Sequence, residues 1–171
     1  MRKHSGFTTV ELLVVIALIG IVAAIAVPNF IGWLPNYRLR AATHDLYSNF
    51  QKAKLTAVKR NTNCAVRFDD TGYMVFVDDD EDFEKDGSED EIVQVLWTDY
   101  KNITVTLGNI TFDDNGEASP KPSMAFRPNG LPADDNDGSG FGFGNGTVPI
   151  TNSNDRTMSV IVSQAGSIRI E

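Results

Sequence analysis

The chain has 171 residues, of which 42% are hydrophobic, and its formal net charge is −8. Once an apolar N-terminal segment is set aside, this length suits one compact domain and requires no second one. The acidic balance disfavours a polyanionic partner unless the basic groups are segregated. A single cysteine, Cys64, excludes a disulfide within the chain, and its strand-like neighbours predict a small buried side chain without chemistry.

The N-terminus combines a short basic stretch with a long apolar one. Residues 1–6 carry Arg2 and Lys3 and end in Gly6, and the segment from Phe7 to Val27 is almost wholly apolar except for Glu11. About twenty apolar residues suffice to span a membrane. A charged side chain in the hydrocarbon interior costs roughly 2 to 4 kcal/mol, so Glu11 is predicted to be partnered or functional.

These residues together resemble the leader of type IV prepilins. The basic stretch ends in Gly6, Glu11 is the fifth residue after it, and Pro28 is the twenty-second. The resemblance implies that a membrane prepilin peptidase cuts between Gly6 and Phe7 and methylates the new amine of Phe7. It also implies that Glu11 orders assembly by pairing with the amine of an incoming subunit, because the two opposite charges then neutralise each other in an apolar layer.

Two other interpretations of the N-terminus stay open. Ala24, Ile25 and Ala26 offer a secretory cleavage site, which would release a secreted binding protein after Ala26. Against this, the apolar stretch is longer than the ~7 to 15 residues of such signals and contains a glutamate. A plain membrane anchor explains the length but not the combination of glycine, glutamate and proline.

The basic leader predicts the orientation of the chain. Positive charge beside a span tends to stay in the cytoplasm, so the rest of the chain is expected to cross the bacterial inner membrane and fold in the periplasm. The protein is then single-pass, with its N-terminus cytoplasmic, before it joins a pilus or pseudopilus filament. The expected partners are other pilins or pseudopilins, the prepilin peptidase, the inner-membrane assembly platform and membrane lipid.

Residues 28–60 are predicted to form an amphipathic helix that continues the transmembrane helix of residues 7–27 into the globular domain. Apolar residues recur at intervals of three or four, as an amphipathic helix on a core requires. They are Leu39, Ala42, Leu46, Phe50, Ala53 and Ala57. Pro28 and Pro35 are expected to bend or locally interrupt the helix.

Residues 61–171 are predicted to form a β-rich periplasmic domain of short antiparallel strands. The predicted strands are Cys64 to Phe68, Tyr73 to Val77, Ile92 to Trp97, Ile103 to Leu107, Ser123 to Arg127, Met158 to Val162 and Ser167 to Ile170. The stretch from Pro128 to Thr157 is rich in glycine, asparagine and aspartate and is expected to be largely loop. The fold class is therefore α+β, with a long N-terminal helix packed on antiparallel β-sheets.

The course of the domain resembles the H-type pseudopilins and minor pilins (GspH/FimT-like). The resemblance rests on residues 72–78 before an acidic turn, on residues 125–130, and on residues 162–169. It implies a pilin fold with two antiparallel sheets on the second half of the helix. It also implies a low-abundance structural subunit of a type IV pilus or type II secretion pseudopilus, the alternative being a major pilin.

The strongest candidate for a ligand site is an acidic run. Ten acidic residues stand against Lys85 between Asp78 and Glu91. Calcium takes ~6 to 8 oxygen ligands, so a site built from Asp78, Asp80, Asp82 and Asp86 is an alternative to a solvated loop. An EF-hand template fails here, because Val93 stands where the bidentate acid belongs. No other cofactor or metal is expected.

The sequence favours neither DNA binding nor catalysis. Some FimT-like relatives bind DNA, and the resemblance assigns this to a C-terminal Gly-Arg-x-Arg, which here reads Gly166, Ser167, Ile168, Arg169, with the first arginine missing. The remaining basic cluster is on the helix from Arg38 to Arg60. No catalytic motif is found, so the protein is predicted not to be an enzyme and nucleic acid is not an expected partner.

Overall fold

The computed structural model describes residues 7–87, 89–112, 122–134 and 144–171. The described residues up to Leu34 form one compact unit, and those from Pro35 to Glu171 form a second. One helix, α1 (Thr9–Arg60), contributes to both units. It continues through Pro28 and Pro35, so a local interruption of the helix is wrong, while a bend at these prolines stays a prediction. Each proline removes one backbone N–H donor, but the helical segments before and after it are several turns long and keep their own hydrogen bonds.

The end of α1 is set by its last turn. Asn61 has a left-handed backbone with φ 54, and the Thr62 N–H donates to the Ala57 carbonyl at 3.3 Å. This is the bond pattern of a Schellman motif, in which asparagine is one of the residues that tolerate the left-handed position. The chain therefore leaves the helix at Arg60 and enters the first strand at once.

The second unit contains two antiparallel sheets. In the first, the strand order is β3-β2-β1-β5-β6, and in the second it is β4-β7-β8-β9. The strands of the first sheet are β1 (Asn63–Phe68), β2 (Gly72–Asp78), β3 (Glu91–Leu96), β5 (Ser123–Phe126) and β6 (Pro132–Asp134). Those of the second are β4 (Ile103–Thr104), β7 (Gly146–Asn152), β8 (Thr157–Val162) and β9 (Ile168–Ile170). Every pairing is antiparallel, as expected from the sequence.

The main core lies between α1 and the sheets. All six apolar residues of the predicted helical stripe are buried, which confirms the amphipathic face. Phe50 is 0% exposed, and its ring centroid lies 6.1 to 6.3 Å from those of Phe68, Phe112 and Phe126. Rings at this separation attract one another in addition to the gain from burying their area. Phe50 therefore ties the helix to the domain.

A smaller apolar cluster covers the opposite face of the first sheet. It consists of Ala65, Phe76, Phe83, Ala125 and Ala133, with Met74 packed against it. Since side chains alternate along a strand, Phe76 and Asp78 point to this face while Val75 and Val77 point away from it. Phe83 belongs to the acidic loop between β2 and β3. The loop is therefore anchored on the sheet.

The region expected to be loop contains two strands, which corrects the prediction. Both β6 and β7 lie between Pro128 and Thr157, and β7 buries Val148 and Ile150. Pro149 has no N–H to donate to a neighbouring strand. On the side of β4, the pairing with β7 is limited to Thr151 and Asn152, so β4 makes no pair with Pro149. The strand expected from Ile103 to Leu107 stops at Thr104, and a 3-10 turn (Leu107–Asn109) follows.

Candidate functional site

The start of α1 is closed by Thr8 and Glu11. The Thr8 carbonyl accepts the Leu12 N–H at 3.1 Å, so Thr8 is the N-cap. The Glu11 carboxylate accepts the Thr8 N–H and the Thr8 hydroxyl, both at 2.9 Å. The Thr8 hydroxyl oxygen in turn accepts the Glu11 N–H at 3.2 Å. These reciprocal bonds form a capping box, a local role for Glu11 that the sequence analysis missed although Thr-x-x-Glu is its signature.

The side chains on the apolar part of α1 are exposed. Phe7 is 82% exposed, and the buried residues of the helix begin only at Leu39. Among the described residues, α1 is the one helix whose length and composition would allow it to cross a membrane. Phe7, Glu11 and Pro28 are all exposed on this part of the chain, whereas Gly6 lies outside the described residues.

The acidic loop folds around a buried glutamate. Glu89 is 8% exposed, and its two carboxylate oxygens accept the backbone N–H groups of Asp79 and Asp86, each at 3.1 Å. Arg67 donates to the Phe83 carbonyl at 3.5 Å and to the Glu84 carboxylate at 3.2 Å. Hydrogen bonds and the Phe83 anchor thus fix the loop.

Asp78 is the buried acid of this loop that lacks such support. It ends β2, is 0% exposed, and neither carboxylate oxygen has a hydrogen-bond partner among the residues that the structure describes. Burial, followed by the charges of Glu89, Asp82 and Asp80, raises the pKa of Asp78 to about 6. The Glu81 N–H opposes this shift without reaching hydrogen-bond geometry.

Three of the four acids that the sequence suggested for calcium come together. Asp78, Asp80 and Asp82 each place a carboxylate oxygen within 4.8 Å of the others. Asp86 lies outside this group, which corrects the predicted set. Its backbone N–H donates instead to the Glu89 carboxylate at 3.1 Å.

Cys64 is inert where it lies. It is 0% exposed on β1, and burial, to which the charge of Asp78 adds, raises the pKa of its thiol to about 12. The positive charge of Arg60 opposes this shift. Because the thiolate is the reactive form, the expectation of a small buried side chain is supported.

The basic cluster on α1 is partly engaged within the chain. Arg38 donates to the Asn102 side chain at 2.8 Å, Lys54 donates to the Gly166 carbonyl at 2.8 Å, and Arg60 pairs with Asp90 at 2.5 Å. Near the C-terminus, Arg169 is exposed and lies 3.9 Å from the Glu171 carboxylate. These contacts reduce the number of cations available to a polyanion.

An apolar helix that carries one acid near its start, together with an amphipathic helix on two antiparallel sheets, defines the class of pilin-like proteins. The model for the family described as Type II transport protein GspH matches residues 42–166, and the prokaryotic N-terminal methylation motif matches residues 1–27. The chain belongs to the GspH family. The expected resemblance is thereby confirmed for both the leader and the domain.

A solved structure supports the fold. The chain is similar to the type IV minor pilin FimU of Pseudomonas aeruginosa (strain PAO1), with a TM-score of 0.51 and 15% identity over 80% of this chain and 90% of that one. A second similar structure is the minor pseudopilin EpsH from the type 2 secretion system of Vibrio cholerae, with a TM-score of 0.49 and 11% identity over 78% and 96% of the two chains. The first likeness confirms the pilin fold.

Among curated proteins, the type IV major pilin protein PilA of Myxococcus xanthus (strain DK1622) is 44% identical over 57 residues. The match covers 33% of this chain and only 24% of that relative. The family model, by contrast, covers most of the domain. A major pilin is therefore the weaker alternative. The chain is a pilin-like structural subunit, and its family implies anchoring by the apolar helix and assembly with other pilins in a filament.

Proposed function

We propose that the chain is a minor subunit of a type IV pilus or type II secretion pseudopilus and has no catalytic activity of its own. The observation that carries the proposal is the exposed apolar part of α1, with Glu11 at its start, on a chain whose remainder belongs to the GspH family. A contiguous apolar surface of this kind needs lipid or other subunits to cover it. The helix is thus the assembly element, and the sheets face outward.

The leader is removed before assembly. Prepilin peptidase cuts between Gly6 and Phe7 on the cytoplasmic side of the inner membrane and methylates the amine of Phe7. The domain lies in the periplasm, because Arg2 and Lys3 hold the N-terminus in the cytoplasm. The inner-membrane assembly platform then transfers the processed subunit from lipid to the filament. The methylation motif over residues 1–27 supports this sequence of events.

Mass spectrometry of the mature chain purified from its source cell tests the processing step. We expect a chain that begins with N-methylated Phe7. A mature chain that begins at Val27 would instead indicate a secreted protein cut after Ala26, and a chain that retains Met1 would contradict processing altogether. Gly6→Val is the matched control, because a bulkier side chain at the cut is expected to leave the leader attached.

Assembly depends on Glu11 and Pro28 in this proposal. The carboxylate of Glu11 neutralises the amine on Phe7 of an incoming subunit. Pro28 lies where the apolar segment ends and restricts the packing of α1 against neighbouring subunits there. Copy number tests the assignment as a minor subunit. Quantitative mass spectrometry of purified filaments should find this chain far below one copy per major subunit, whereas near-equal amounts would make it a major pilin.

A further inference from the structure

We propose that the loop between β2 and β3 holds a calcium ion between the carboxylates of Asp78, Asp80 and Asp82. The site is separate from the proposed assembly role of Glu11, because Glu11 lies in the first unit and all residues of the site lie in the second. A cluster of acids alone is common on protein surfaces. The buried Asp78 distinguishes this one.

The loop contains two buried carboxylates, Glu89 and Asp78, that differ in their hydrogen bonding. Glu89 has a backbone N–H group for each of its oxygens. Asp78 is fully buried, its oxygens have no partner among the described residues, and one of them lies within 4.8 Å of carboxylate oxygens of Asp80 and Asp82. Buried charges in proteins are normally paired or coordinate a metal. The arrangement around Asp78 fits the second case.

The basic side chains that contact the loop are engaged elsewhere. Arg60 pairs with Asp90, Arg67 pairs with Glu84, and the Lys85 ammonium group donates to the Asp86 carbonyl at 2.8 Å. None of these bonds reaches Asp78. Among the residues that the structure describes, no cation is therefore paired with Asp78, and an external cation would meet three carboxylates at once.

The donor chemistry selects the ion. All three ligands are carboxylate oxygens, which suit hard cations, whereas zinc favours nitrogen and sulfur. Calcium binds oxygen at ~2.3 to 2.6 Å, so ligands on opposite sides of one ion are about 5 Å apart. The 4.8 Å limit on the three oxygens is compatible with that span. Calcium also takes ~6 to 8 ligands in irregular geometry, which backbone carbonyls and water can complete, while magnesium demands a near-regular octahedron.

The site is built before an ion arrives. Asp78 is fixed by its pairing with Asn63 across β1 and β2. The loop is fixed on the same face by the buried ring of Phe83 and by Arg67. Asp82 also accepts the Glu84 N–H at 2.7 Å, but a carboxylate has capacity for a further partner. Binding therefore requires little ordering of the chain.

Thermal unfolding and calorimetry of the full chain in detergent test the proposal. The protein is stripped with a chelator, the chelator is removed, and calcium chloride is titrated against the wild type, Asp78→Asn, Asp80→Asn and the control Asp70→Asn. Asp70 is an exposed aspartate in the turn between β1 and β2, so the control removes one charge outside the cluster. At a tenfold excess of calcium over Kd, Tm should rise by about 3 to 6 °C in the wild type and the control.

The variants should separate a bound ion from a structural role. Asp78→Asn should abolish the calcium response yet leave metal-free Tm equal to or above that of the wild type, because it removes an unpaired buried charge. Asp80→Asn, at an exposed position, should weaken calcium binding roughly tenfold or more. No calcium response in the wild type, an equal response in Asp78→Asn, or an equal response to magnesium would overturn the proposal.

Discussion

Replacing Glu11 with glutamine should reduce filament assembly while leaving the start of α1 intact. Glutamine can take the place of glutamate in a capping box, so Glu11→Gln removes the charge and little else. Thr8→Ala is the matched variant. It removes the hydroxyl that donates to Glu11 and accepts from its N–H, but it keeps the charge. The two substitutions therefore separate the electrostatic role of Glu11 from its role at the helix end.

The expected magnitudes differ clearly. A charge in the hydrocarbon layer costs roughly 2 to 4 kcal/mol. If the amine of an incoming Phe7 relieves that cost, its loss should lower the equilibrium constant for subunit addition by roughly 30- to 1,000-fold. Loss of the cap costs about 0.5 to 2 kcal/mol, but it acts on the subunit both in lipid and in the filament. Most of this cost therefore cancels between the two states, and the Thr8→Ala variant should assemble nearly as well as the wild type.

The assay compares sheared filaments with the membrane pool in cells that express each variant at matched levels. Mass spectrometry of the N-terminus confirms that each variant is cut and methylated, so that a processing defect is not mistaken for an assembly defect. Wild-type filament yield from Glu11→Gln would refute the charge argument. An equal loss from Thr8→Ala would show instead that Glu11 acts by capping the helix.

Three further predictions concern the domain. Phe50→Ala should cost about 3 to 5 kcal/mol in urea unfolding, because it removes a fully buried ring, whereas Leu55→Ala, 68% exposed on the same helix, should cost less than ~1 kcal/mol. Gly72→Ala should cost more than ~2 kcal/mol, because a Cβ there would collide with the backbone of β3, while Gly108→Ala meets only open space and should be nearly neutral. Burial raises the pKa of Cys64 from 9.0 to about 12, so the unfolded thiol loses its proton first and stability should fall as pH rises through that window. Cys64→Ala should lessen this fall by about 1 kcal/mol at pH 10, and an unchanged pH slope would contradict the assigned burial effect.

The helix and its buried face could be predicted because the pattern that indicates them lies in residues close together in the sequence. Leu39, Leu46 and Phe50 recur with the helical period, and no distant residue is needed to recognise the pattern. The same holds for the leader, where the spacing of Gly6 and Glu11 carries the resemblance. Both predictions agree with the family match and the fold.

The misses arise where tertiary pairing decides. The strand β7 contains Gly146 and Pro149, which argue locally for a loop, yet β8 pairs with it from Gly146 to Thr151. The cluster at Asp78 could be guessed from acidic composition, but which acid joins it depends on how the loop folds over the sheet. The fold of the loop depends on Phe83 and Glu89. Phe83 is the one aromatic residue in the acidic run, but Glu89 cannot be told by sequence from the other acids there.

In the proposed function a single acid directs assembly, and the environment of α1 gives the physical reason. In the membrane the apolar side chains from Phe7 onward are covered by lipid, and in a filament they would be covered by other subunits. The hydrophobic contribution is similar in both places, so it does not drive transfer from one to the other. Two things differ between lipid and filament: the packing of the side chains, and whether the few polar groups have a partner. Glu11 is the acidic group on the segment from Phe7 to Val27. If it pairs with the amine of an incoming subunit as proposed, its neutralisation favours transfer into the filament, which apolar surface alone does not.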